Sequence, residues 1–256
     1  MREDYVSVPG GKVFVKTWMP HTPLSTIPII LLHDSLGCVA LWREFPAILS
    51  ERLKRPVVAY DRLGFGQSTA RVEIPSVNFV TEEAEIYFPA IYEYLRCDRF
   101  DLWGHSVGGG MAVAIAARFP QACRSVVTEA SQAFVEERTR EGIRKAKASF
   151  AHPSQIEKLR RYHGDKAEWV LAAWTEVWLS SEFASWSLKD LLPQVRCALL
   201  AIHGDRDEYG SLAFPEMIVQ LAGGKSQKFI VENCGHVPHR EWERLVLDEI
   251  KELLGV

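Results

Sequence analysis

The sequence predicts an α/β protein with a mostly parallel central sheet, helices on both faces and a helical insertion in the second half of the chain. Three observations carry this expectation. Short, uninterrupted apolar runs such as Ile29-Ile30-Leu31-Leu32 and Val57-Val58-Ala59-Tyr60 have the character of strands covered on both sides. Stretches with apolar residues at helical spacing lie between them, and strands alternating with helices build parallel sheets. The apolar runs also end in polar, turn-forming segments, of which His33-Asp34-Ser35-Leu36-Gly37 is the first.

Bulk properties narrow the class. A chain of 256 residues, 47% apolar and 25% charged, can hold one α/β domain with an insertion or two small domains. The net charge of −3 comes without a Lys/Arg cluster, which argues against nucleic acid or an anionic membrane as partner. Five cysteines, scattered and without CxxC spacing, suit reduced thiols in a cytoplasmic protein. The start of the chain lacks the apolar core of a signal peptide, and the longest apolar runs fall far below the roughly 20 residues of a membrane span. A soluble monomer or homodimer is expected.

Taken in order, Tyr5 to Trp18 alternates around Pro9-Gly10-Gly11 and predicts a β-hairpin. The strand Ile29–Leu32 leads through its turn to a helix over Leu41 to Leu53. Val57–Tyr60 is the next strand. Phe79 to Arg96 is expected as one helix, with Thr81 as its cap and three glutamates in its first turn. Arg99 to Trp103 and Ser125 to Thr128 are strands flanking a helix that Pro120 terminates. From 131 to 189 charge density rises and strand patterns vanish, so 1–130 together with 190–256 form the expected core domain and 131–189 a helical insertion. Strand rhythm resumes at Cys197 to Ile202. Phe214 to Leu221 is helical, Lys228 to Val231 is the last strand, and Glu241 to Leu254 closes the chain as a helix.

The chemistry centres on Gly104-His105-Ser106-Val107-Gly108, a G-x-S-x-G pattern between a strand and a helix. A serine on such a turn holds a strained backbone, and the flanking glycines remove the clashes that side chains would make. The first helical N–H groups, that of Val107 above all, then point at an anion forming beside the hydroxyl. A serine hydroxyl is a poor nucleophile near neutral pH and needs a base that is itself oriented by an acid. Asp207 and His236 supply those residue types after two later strands, where ligands of a parallel sheet gather.

The order Ser106, Asp207, His236 and the segments around it resemble the α/β-hydrolase superfamily in its esterase-like branch with a helical lid. The matching segments are Leu31-Leu32-His33, Tyr60-Asp61-Arg62-Leu63-Gly64-Phe65-Gly66-Gln67-Ser68, the serine motif, His203-Gly204-Asp205-Arg206-Asp207 and Gly235-His236-Val237-Pro238. The resemblance implies a serine hydrolase for a small carboxylic ester or thioester carrying an apolar group, working through an acyl-enzyme without metal or cofactor. Hydrolysis of a carbon–carbon bond or lactone, elimination, or ligand reception on the same fold are the alternatives. The family's Gly-x-x-Asp spacing selects Asp207 over Asp205, with Glu129 as the remaining rival, and the Gly-His context selects His236 over His239. His33, His105 and His203 are expected to orient loops, and Asp61 and Arg62 to brace them.

An oxyanion hole needs a second donor, and the resemblance assigns it to the Ser35 N–H. Here the sequence departs from the family, placing Asp34 where glycine is usual. A carboxylate beside a developing oxyanion is repulsive, so Asp34 must point away or pair with a cation. The insertion sits where the family carries its lid, which implies that Phe134, Trp169, Trp174, Trp178 and Phe183 line an apolar substrate pocket over Ser106.

Overall fold

The computed structural model describes residues 1–254. Eight strands form a single sheet: β1 (Arg2–Val8), β2 (Gly11–Trp18), β3 (Ile29–Leu32), β4 (Val57–Tyr60), β5 (Phe100–His105), β6 (Cys123–Glu129), β7 (Ala198–Gly204) and β8 (Ser226–Val231). Their spatial order is β1-β2-β4-β3-β5-β6-β7-β8. β1 pairs antiparallel with β2, and β2 antiparallel with β4; every later pairing is parallel. Leu32 pairs with Gly104, His105 with Glu129, Glu129 with Ile202, and Gly204 with Val231. The carboxyl ends of β3, β5, β6, β7 and β8 therefore lie side by side, and their loops form one polar edge.

The buried strands divide by alternation, as period-two side chains must. Ile30, Leu32, Leu102, Val126 and Leu199 face one layer, built largely from α3 (Phe88–Leu95), α4 (Val107–Arg118) and α8 (Ala213–Leu221). Ile29, Leu31, Trp103, Val127 and Leu200 face the other, built from α1 (Phe45–Leu53) and α10 (Glu243–Leu254). α4 is buried along almost its whole length, which explains its run of glycine and alanine. A buried ion pair ties neighbouring strands together at their starts: Arg55 holds Asp101 and also donates to Ile27 O at 3.0 and 3.1 Å, while Ser125 Oγ donates to Asp101 at 2.6 Å.

Two expected helices are broken by the backbone. The segment after β3 is a 3₁₀ turn (Val39–Trp42) followed by α1, separated by Arg43 at φ 54°. Pro46 lacks an N–H and so belongs in the first turn of a helix, which forces the new start. The helix expected over 79–96 comprises α2 (Phe79–Glu82), a π-helical turn (Glu83–Tyr87) and α3. Pro89 cannot donate to Glu85, and the wide turn accommodates that loss while turning Glu83 inward to accept from Tyr60 Oη at 2.6 Å. Thr81 is not the cap. It lies inside α2 with its hydroxyl donating to Asn78 O.

Between β6 and β7 lie α5 (Glu137–Phe150), α6 (Pro153–His163) and α7 (Ala167–Leu179), packed on one another above the polar edge. A small helix, α9 (Pro238–Glu241), precedes α10. No helix among the described residues is long and apolar enough to cross a membrane.

Candidate active site

Ser106 occupies the single residue between β5 and α4, with φ 55° and ψ −126°. That conformation is costly for a residue with a Cβ and persists only where its surroundings dictate it. Here they do. The Ser106 N–H donates to Glu129 O at 2.8 Å, and Gly109 N–H donates to Ser106 O at 2.9 Å. A Cβ on Gly104 would stand 2.0 Å from Gly108 O, and one on Gly108 2.2 Å from Leu32 O. Three backbones converge at this point, and only glycine lets them.

Asp207, fully buried, and His236, on the loop after β8, meet through the imidazole Nδ1, which lies 2.9 and 2.8 Å from the two carboxylate oxygens. Tyr209 N–H donates to the same carboxylate at 2.7 Å. Burial would raise the Asp207 carboxyl, but the charge and hydrogen bond of His236 outweigh it and hold it below its usual value. An acceptor on Nδ1 places the ring proton there and leaves Nε2 free to take another. Ser106 and His236 line the same cavity. The Ser106 hydroxyl donates to Gln132 Oε1 at 3.3 Å, and among the described residues no hydrogen bond joins it to His236.

The rival residues are engaged elsewhere. Asp205 accepts Cys234 N–H at 3.2 Å and braces a turn. Glu129 and His239 are paired with each other at 2.9 Å, and Trp103 Nε1 donates to Glu129 at 2.9 Å. Asp61 accepts the N–H groups of Val39 and Gln67 at 2.5 and 2.6 Å. Arg62 donates from its side chain to Asp34 O at 2.8 Å and from its backbone to His33 Nε2 at 3.1 Å. Burial lowers the pKa of His33 and His203, and His203 Nε2 lies 3.3 Å from Asp207.

Asp34 pairs with a cation, and the cation comes from the serine motif itself. Its carboxylate lies 3.3 Å from His105 Nδ1 and accepts Leu36 N–H at 2.8 Å. His105 Nε2 is 2.7 Å from His236 O. Acceptors beside both nitrogens favour the imidazolium form. Burial disfavours the charge, but Asp34 and Glu129 outweigh it and raise the His105 pKa to about 9. The same pair holds the Asp34 carboxyl well below the ordinary range. Among the described residues, neither the Ser35 nor the Val107 N–H is taken up by a loop or turn acceptor.

The cavity above Ser106 measures about 170 Å³. One wall is Asp34, Ser35 and Leu36; the other comes from α5 and α7 through Thr139, Ile143, Trp174 and Trp178, with Gln132 and Tyr209 between. Of the five aromatic residues expected to line it, Trp174 and Trp178 do so. Trp169 packs instead on Phe65 and over Gly64, Phe134 against Phe214, and Phe183 in the core between Phe79, Trp178 and Trp186. α7 offers tryptophans on more than one face, and helical spacing alone does not say which face meets the sheet. Gln132, Thr139, Ile143 and Tyr209 were not anticipated. Thr139 and Ile143 stand four residues apart on α5 and share a face, which was readable; Gln132 and Tyr209 are placed by the turns after β6 and β7.

The chain matches the family defined by the alpha/beta hydrolase fold over residues 27–241, and it belongs to that family. It is 32% identical over 124 residues to a 1-acylglycerol-3-phosphate O-acyltransferase of Rattus norvegicus, covering 46% of this chain and 33% of the relative. It is 34% identical over 101 residues to a 2-hydroxy-6-oxo-2,4-heptadienoate hydrolase of Pseudomonas putida, covering 39% of this chain and 36% of the relative. The matched segments thus span only about a third of these relatives' length. Among solved structures, the enol-lactonase of Burkholderia xenovorans LB400 superposes with a TM-score of 0.74 at 17% identity, covering 99% of this chain and 100% of that one. The proline iminopeptidase of Mycobacterium smegmatis does so with a TM-score of 0.73 at 20% identity, covering 99% and 98%. These likenesses are of fold.

Proposed function

We propose that this α/β-hydrolase is a serine hydrolase cleaving a small carboxylic ester or thioester through Ser106, His236 and Asp207. The observation that carries the proposal is the contact of Asp207 with His236 Nδ1 beside a serine on a strained elbow facing the same cavity. In this mechanism Ser106 Oγ attacks the carbonyl carbon and His236 Nε2 takes its proton. Asp207 steadies the imidazolium, and the Val107 and Ser35 N–H groups hold the oxyanion. His236 then protonates the leaving alcohol or thiol. Water, deprotonated by the same histidine, attacks the acyl-enzyme and releases the acid and Ser106. For the first step the Ser106 hydroxyl turns from Gln132 to His236.

In this proposal residues 131–189 act as a cap on a core of 1–130 and 190–256, and the aromatic wall takes the apolar group of the substrate. An engineered apolar cavity of about 150 Å³ takes benzene, so one phenyl ring or a short acyl chain suits this one. The Pseudomonas putida relative is named for hydrolysis of a heptadienoate, which keeps carbon–carbon or lactone hydrolysis by the same three residues as the second reading. The test is labelling with a fluorophosphonate probe read by intact mass, with turnover of 4-nitrophenyl butyrate. Wild type should label and turn over; Ser106→Ala should do neither, its turnover reduced roughly 10⁴- to 10⁶-fold. Equal activity in Ser106→Ala refutes the proposal.

A further inference from the structure

We infer that Asp34 makes this site a charge filter: the substrate is neutral or cationic in the part that enters the cavity, and carboxylate- or phosphate-bearing compounds are excluded. The inference rests on the serine-hydrolase proposal for the reaction and adds the class of compound. Among the described residues lining the cavity there is one carboxylate, Asp34, and no lysine or arginine. The Asp34 side chain keeps 33% of its surface exposed, whereas His105, its counter-ion, keeps 4% and does not line the cavity. Of this pair, only Asp34 lines the cavity, so a ligand there borders Asp34 and not His105.

The guanidinium groups of Arg138 and Arg62 are committed elsewhere. Arg138 on α5 donates to the Asp207 carbonyl, and Arg62 donates to the Asp34 carbonyl with its guanidinium 4.2 Å from the Phe65 ring centre. Neither lines the cavity. An anionic group outside the oxyanion donors would meet no lysine or arginine in the cavity and would lie beside a like charge, and both effects disfavour it. A cation would face Asp34 among Trp174, Trp178 and Tyr209, whose ring faces also attract positive charge.

The experiment compares three esters with one leaving group, so that chemical reactivity is shared: 4-nitrophenyl methyl adipate, 4-nitrophenyl hydrogen adipate and 4-nitrophenyl 6-aminohexanoate. A unit charge a few ångströms from a partly exposed carboxylate changes relative affinity by roughly tenfold to a hundredfold. In wild type, kcat/KM for the acid should fall at least about tenfold below that for its methyl ester, with the ammonium ester at or above the methyl ester. Asp34→Asn keeps the shape and an acceptor for Leu36, and should shrink the gap between acid and methyl ester to about threefold or less. Hydrolysis of the acid on a par with its methyl ester by wild type overturns the filter, as does a gap that Asp34→Asn leaves unchanged. Quenching of tryptophan fluorescence by benzylammonium and by benzoate separates the filter from the reaction. Absence of turnover with tighter binding of benzylammonium, lost in Asp34→Asn, sinks the hydrolase proposal and upholds the filter. Tighter binding of benzoate overturns the filter whatever the turnover.

Discussion

Replacing Gly108 by alanine tests the elbow most directly. The new Cβ would stand 2.2 Å from Leu32 O and 2.8 Å from His33 O, about 0.8 Å inside the 3.0 Å limit at the first of them. Both neighbours are backbone in or next to a central strand, so neither can swing away. The start of α4 must retreat from β3 by most of that shortfall, and it carries Ser106 and the Val107 N–H with it. Overpacking of this kind costs about 1–3 kcal/mol, offset by up to about 1 kcal/mol from the better helix propensity of alanine. A misplacement near 1 Å costs on the order of 10²-fold in rate. Gly110→Ala is the internal control, because its Cβ would meet only side-chain atoms of Trp186 and Val80 at 3.6 Å. Urea denaturation and turnover of 4-nitrophenyl butyrate, run on both variants, should show Gly108→Ala destabilised by about 1–2 kcal/mol and crippled. Gly110→Ala should be active and as stable as wild type or more so. Wild-type turnover in Gly108→Ala, or equal damage in the two, would refute the packing argument.

Further outcomes follow from the same contacts. Asp207→Asn keeps the shape but loses the charge that steadies the imidazolium, so kcat should fall by roughly 10³- to 10⁴-fold with far-UV circular dichroism unchanged. Arg55→Met strands Asp101 as a buried unpaired carboxylate and should cost about 3–5 kcal/mol in urea denaturation, whereas Arg55→Met with Asp101→Leu recovers most of it. The His105 pKa is raised from 6.5 to about 9 in the folded chain. The stability it contributes is therefore full below pH 6.5 and lost as pH climbs through about 9. Thermal melts at pH 6.5 and 9.5 should show a drop in wild type that is smaller in Asp34→Asn; equal drops would remove His105 as the cause.

The strands were legible because burial on both faces leaves an unmistakable trace: Ile29–Leu32 and Val57–Tyr60 have no polar side to hide. The elbow was legible for a similar reason, since Gly104 and Gly108 answer a clash local to five residues. Asp207 and His236 could be proposed as partners of Ser106 from their place after successive strands, because parallel register carries loop ends to one edge. What escaped the sequence depends on contacts between distant segments. The π-helical turn at Glu83–Tyr87 reflects Tyr60 reaching Glu83 across the core, and the face that α7 turns to the site is set by packing over Phe65 and Tyr209. Asp34 is the sharpest case. Alone it is a carboxylate in the wrong place; His105, one residue from Ser106, becomes its counter-ion only when β3 and β5 pair side by side. Sequence singled out the groups proposed to do chemistry here, through local rules of sterics and burial. Tertiary structure decided which charges they face, because electrostatic partners are chosen by distance in space.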